Sequence, residues 1–166
     1  MQSAGDFYLA AQTPNVWAAF FLEAAVLYQN EQEVKAVVER FEWCSYALQE
    51  FTHPRHITVS VWYLSQMDFE EAMARMRCAL MKFSAHHNKM GYNETITRFW
   101  LVMVNEFLAA AKPEASMAEL ANGAVNRFGD KNLLFQYYSR ERVQSEEAKG
   151  LWIQPDLQEM GARTLD

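Results

Sequence analysis

The stretch Phe51-Thr52-His53-Pro54-Arg55-His56-Ile57-Thr58-Val59-Ser60-Val61-Trp62-Tyr63-Leu64 decides the fold, because it can be read in two ways. Ile57, Val59, Val61 and Tyr63 alternate with Thr58, Ser60 and Trp62, and β-branched residues at period two mark a strand. Ile57, Val61 and Leu64 also fall on one helical stripe. A solitary strand leaves its backbone donors and acceptors unpaired, and no second strand pattern is visible in the chain. The segment is therefore read as a helix over Pro54 to Gln66.

On either side the apolar residues recur at helical spacing. Thr13-Pro14 reads as a cap followed by proline in the first turn, with Trp17, Phe20, Phe21, Ala24, Leu27 and Tyr28 on one face. Val34, Val37, Val38 and Phe41 define a second helix running to about Leu48. Asp68-Phe69-Glu70-Glu71 resembles a capping box, followed by Phe69, Ala72, Met73, Met76, Leu80 and Phe83. Met73, Met76 and Met81 read as core filling. Ile96, Phe99, Trp100, Met103 and Phe107 mark a long helix that stops before Pro113, and Met117, Leu120, Ala121 and Ala124 mark another. Beyond Asp130 the pattern gives short helices through Leu133 and Tyr137 and around Ser145 to Leu151, then an extended tail from about Trp152 to Leu157 crossing the bundle. The expectation is an all-α, single-domain helical bundle of six to seven helices over residues 1–166.

Composition narrows the function classes. A chain of 166 residues that is 51% hydrophobic, with 11 Phe, 7 Tyr and 5 Trp, has ample material for one core. Its 15 basic and 21 acidic residues give a net charge of −6, and no Lys/Arg run breaks the pattern. That balance argues against nucleic acid as a partner. No apolar run approaches membrane-spanning length, and Met1 to Gln12 has no basic leader. Cys44 and Cys78 read as buried, reduced thiols, which points to the cytoplasm. Gly-rich phosphate loops, G-x-S-x-G, H-E-x-x-H and CxxC are all missing, so nucleotide, serine-hydrolase and zinc-ribbon readings have no motif to stand on.

Four spots carry chemistry. With Pro54 in the first turn, His53 is the cap and His56 the third helical residue, so both imidazoles face one way. The positive end of a helix keeps an imidazole neutral, the form a metal requires. The plainer alternative is one capping and one packed histidine. In Gly91-Tyr92-Asn93-Glu94-Thr95-Ile96-Thr97, the spacing of Gly91 and Glu94 suits a helix start with its reciprocal carboxylate, while the functional alternative makes Glu94 an oxygen ligand or general base. Two histidines and a carboxylate are the set that holds zinc or non-haem iron. His86-His87-Asn88 ends a helix, where basic groups complement the dipole, with His87 close enough in sequence to approach Glu94. Tyr137-Tyr138-Ser139-Arg140-Glu141-Arg142 can bind a carboxylate or phosphate, or simply pack as an aromatic corner.

These blocks resemble a family of small bacterial helical proteins with an F-x-H-x-x-H block, a G-Y-[HN]-E-T-[IL]-T block and no assigned activity. The resemblance rests on Phe51 to His56 running into Val61-Trp62-Tyr63-Leu64, on Gly91 to Thr97, and on Tyr137-Tyr138-Ser139 through Trp152 and Pro155-Asp156-Leu157. It implies that the histidine pair and the Glu-Thr block are hallmark positions. Relatives tend to carry histidine before the glutamate, where this chain has Asn93.

Three readings follow. The first is a small metal-dependent enzyme with His53, His56 and Glu94 as ligands for zinc or iron, Asn93, His87 and Tyr92 beside them, and Glu94 as the candidate catalytic group. Arg55, Tyr137 and Arg140 are its candidates for holding a small, anionic substrate. The second is a non-catalytic binding module using two helix N-termini. The third is a structural or interaction protein, and a homodimer is left open in each.

Overall fold

The first turn of the deciding segment is set by Thr52, whose extended backbone precedes a helix over His53–Gln66 with proline in its second position. The computed structural model describes residues 27–160 of the chain. Among them the helices in order are α1 (Glu31–Glu42), α2 (His53–Gln66), α3 (Phe69–His86), α4 (Glu94–Ala109), α5 (Met117–Phe128), α6 (Leu134–Tyr137), α7 (Arg140–Gln144) and α8 (Glu146–Gly150). A 3-10 turn over Lys131–Leu133 leads into α6. The described residues contain no strand, and the all-α bundle expected from periodicity is what forms. None of their helices is long and apolar enough to cross a membrane.

The strand-like look of α2 has a packing cause. It is the central helix, packed against α1, α3, α4 and α5. Ile57 and Val61, one turn apart, enter the core shared with α4, α5 and the C-terminal segments. Val59 and Tyr63, also one turn apart, enter the core shared with α1 and α3. All four are fully buried, so a helix buried on two faces imitates strict alternation. Each such side chain contributes about 1.5–3 kcal/mol of apolar burial. Thr58 and Ser60 lie between them and are also buried. Their hydroxyls donate to the carbonyls of Pro54 (3.0 Å) and His56 (2.9 Å), so no polar group is stranded.

Several boundaries differ from expectation. The helix α1 stops at Glu42, not near Leu48, because Trp43 ends it and Cys44 turns into the left-handed region at φ 53°. Cys78 lies exposed on α3, off the buried stripe of Ala72, Met73, Met76 and Phe83; it and buried Cys44 are both free thiols. Met81 falls off the same stripe and is 54% exposed. The helix expected from Pro14 lies outside the described residues except at Leu27 and Tyr28, which are not helical. Tyr28 is instead held at both backbone ends by the side chain of Asn122. The count exceeds six to seven because Ser139 and Ser145 cap two separate five-residue helices, where periodicity showed one. After α8 the chain passes over α4: Thr95 Oγ1 donates to Leu151 O (2.7 Å) and accepts from Ile153 N (3.1 Å). The Tyr138 hydroxyl donates to Ile153 O (2.7 Å).

Candidate functional site

The starts of α2 and α4 meet at one end of the bundle and enclose a cavity of about 680 Å³ with one face of α3, the 3-10 turn, α6 and the first residue of α7. His53, His56, Tyr92, Asn93 and Arg140 are on its wall. Phe51, Trp100, Ile96, Leu134 and Phe135 give it an apolar body. Among the described residues Lys131 and Arg140 are its cations, and no Asp or Glu lines it. Neither cation enters an ion pair among the described residues; Arg140 lies over the Phe135 ring, 4.0 Å from its centroid.

The cap is one residue earlier than the sequence suggested. Thr52 is the cap and His53 the first helical residue, because Arg55 N and His56 N both bond to Thr52 O (3.0 and 3.2 Å). The two histidines keep their three-residue offset, and their rings lie 6.4 Å apart. His53 Nε2 donates to Phe128 O at 2.9 Å, and His56 Nδ1 donates to Thr52 O at 3.1 Å. A carbonyl only accepts, which assigns the proton in each ring and leaves His53 Nδ1 and His56 Nε2 as lone-pair nitrogens. Burial lowers the pKa of His56 to about 4, against weaker support from the Thr52 bond. Burial likewise lowers that of His53, with the nearby Lys131 cation acting in the same direction. Both rings are neutral at pH 7. Phe51 lies 4.2 Å from the His56 ring and Trp100 4.5 Å from the His53 ring.

Glu94 does not join them. It is the first residue of α4, buried, and the cap is Asn93, whose Oδ1 accepts from Ile96 N (2.9 Å). Gly91 therefore takes no part in a capping box. Arg77 donates to both carboxylate oxygens, Nε to Oε2 at 2.8 Å and Nη2 to Oε1 at 2.5 Å, and the Tyr92 hydroxyl adds a third bond at 2.6 Å. These bonds, Arg77 foremost, hold the Glu94 carboxyl below its ordinary pKa, and burial with the same carboxylate raises the Tyr92 phenol. Among the described residues no three His, Cys, Asp or Glu side chains are arranged to hold a metal ion. The His53, His56 and Glu94 ligand set is not assembled, because an arginine from α3 occupies the carboxylate.

Of the remaining candidates, Asn93 Nδ2 ties the start of α4 to Val143 O (2.8 Å). His87 bonds through Nε2 to Tyr46 O (3.0 Å) and packs on Phe83, serving the α3 C-terminus. Arg55 donates to Glu50 O and lies over Tyr46, 4.7 Å from the ring centroid. Tyr137 packs 5.2 Å from Phe99. None of these last three lines the cavity. Lys131, Trp100 and Phe51 do, and sequence reading had given none of them a binding role. Trp100 looked like core stripe, and a lone lysine after a helix gives no signal of its own. No protein-family model matches the chain, and no curated protein or solved structure is significantly similar to it.

Proposed function

We propose that this chain binds a small amphipathic anion in the cavity between the starts of α2 and α4. One observation carries the reading: in a chain of net charge −6, the described residues lining a cavity of about 680 Å³ present two cations and not one carboxylate. The size fits a small organic molecule. Aromatic and aliphatic walls suit an apolar body, and Lys131 with Arg140 suits a carboxylate, sulfonate or phosphate head. Helix N-termini contribute little. The first turn of α2 has a proline and two N–H groups already bonded to Thr52 O, and Asn93 caps α4.

A metal-dependent reaction at the histidines has less support. Zinc or iron would find two lone-pair nitrogens but no carboxylate, and the two cations oppose a divalent ion electrostatically. The test uses β-naphthoate, followed by fluorescence and calorimetry, with elemental analysis of the purified protein. Saturable one-to-one binding is expected, weakened about tenfold in Lys131→Glu/Arg140→Glu and weakened by added salt. Absence of binding, or binding indifferent to both charge reversals, overturns the reading. Stoichiometric zinc or iron lost in His53→Ala/His56→Ala favours the metal reading instead.

A further inference from the structure

We infer that the ligand of this cavity carries a hydroxyl or amine donor on its apolar body, accepted by the Nε2 atom of His56. The inference rests on the anion reading above and specifies the ligand class within it. Its basis is the fixed tautomer: with Nδ1–H given to Thr52 O, Nε2 can only accept. No hydrogen bond from a described residue reaches Nε2, and it is not among the buried polar atoms lacking a partner. The atom is therefore accessible, and His56 lines the cavity with Phe51 packed at a tilt beside its ring.

The two histidines differ in surroundings, which orders the ligand. Among the described residues, the charges of Lys131 and Asp130 act on His53, and His53 acts on His56. His53 thus stands toward the charged head, and His56, one ring further along at 6.4 Å, stands against the uncharged body. An apolar acid with nothing to donate leaves the His56 lone pair facing carbon, and a buried acceptor without a partner costs binding. The favoured class is a hydroxy- or amino-substituted aromatic or alicyclic acid.

The experiment compares β-naphthoate with its ring-hydroxylated positional isomers on the full chain, in wild type and His56→Phe. At least one isomer is expected to bind about tenfold more tightly than β-naphthoate in wild type, and the ratio of the two affinities is expected to fall to about one in His56→Phe. In wild type, 15N NMR of the imidazoles is expected to show the His56 Nε2 resonance moving with that isomer and not with the parent, a readout that holds if the variant fails to fold. Parent binding with no hydroxyl preference overturns this inference alone, as does a preference that survives His56→Phe or an Nε2 already protonated in the unliganded protein. Failure of the parent and every isomer to bind overturns the cavity reading and this inference with it.

Discussion

Arg77 on α3 and Glu94 at the first position of α4 form a two-point clamp, with each carboxylate oxygen meeting its own guanidinium nitrogen at 2.8 and 2.5 Å. The clamp joins two helices whose connection, residues 87–93, contains no helix of its own. The Arg77 side chain is 42% exposed and that of Glu94 11%, so the carboxylate is the partner that depends on the bond. Arg77→Ala is expected to cost about 1–3 kcal/mol by leaving the carboxylate with Tyr92 alone. A double-mutant cycle with Glu94→Ala, read by urea denaturation, is expected to give a coupling of about 1–2 kcal/mol. Additive losses would show that the pair does not hold α3 to α4.

The lowered pKa of His56 makes stability depend on pH in a defined window. Its folded value is about 4 against an ordinary 6.5, so between these limits the unfolded chain binds the proton and the folded chain does not. The contribution is complete above pH 6.5 and declines as pH falls toward 4, by up to about 3 kcal/mol in all. His53 acts in the same direction. Glu94, lowered from 4.5, adds a further loss only below that pH. Denaturation curves at pH 7.5, 5.5 and 4.5 are expected to fall in order, with much of the decline above pH 4.5 removed in His56→Phe. An unchanged slope in that variant would assign the decline elsewhere.

The fold was legible in the sequence wherever a helix has one wet face, and least legible where it has none. The residues Val34, Val37, Val38 and Phe41 announce α1 because the positions between them are exposed and, Ala36 apart, charged. The alternating run in α2 was ambiguous because burial on two faces erases the 3.6-residue contrast; only the lack of a pairing partner decided it. The end of α1 was invisible because a left-handed Cys44 breaks the helix, where glycine or asparagine would have given notice. At the site, the local spacing of His53 and His56 was readable. The fate of Glu94 was not: Arg77 lies on another helix, and no residue near Glu94 in sequence reveals that its charge is already met.

Thr95 is expected to be the hinge pin of the C-terminal segment. Its hydroxyl serves as donor to Leu151 O and acceptor from Ile153 N, and both Thr95 and Ile153 are buried. Thr95→Val keeps the shape and removes both bonds, leaving a buried N–H without an acceptor. A loss of about 1–3 kcal/mol is expected. Hydrogen exchange at Ile153 should accelerate more than exchange in α5, which neither of these two bonds reaches. Equal acceleration throughout would mean that the segment does not open by itself.

Asn122 supplies the last case, a side chain that stands in for a strand. Its Oδ1 accepts from Leu27 N (2.9 Å) and Tyr28 N (3.0 Å), and its Nδ2 donates to Tyr28 O (2.8 Å). The carboxamide thereby meets the backbone needs of a non-helical residue that pairs with no strand among the described residues. The Tyr28 hydroxyl, 3.0 Å from Thr58 Oγ1, fixes the other end of the residue on α2. Asn122→Ala removes three bonds at a half-exposed position where water replaces part of them, so a loss of about 1–2 kcal/mol is expected. Asn122→Asp separates geometry from chemistry: it keeps the two bonds accepted from N–H groups and turns the third into a contact between oxygens. Its stability is expected to fall between wild type and Asn122→Ala near neutral pH. Amide exchange at Leu27 and Tyr28 should rise in the same order. If Asn122→Ala leaves both amides protected, the tether is Tyr28 on Thr58, and Tyr28→Phe would then show the larger effect.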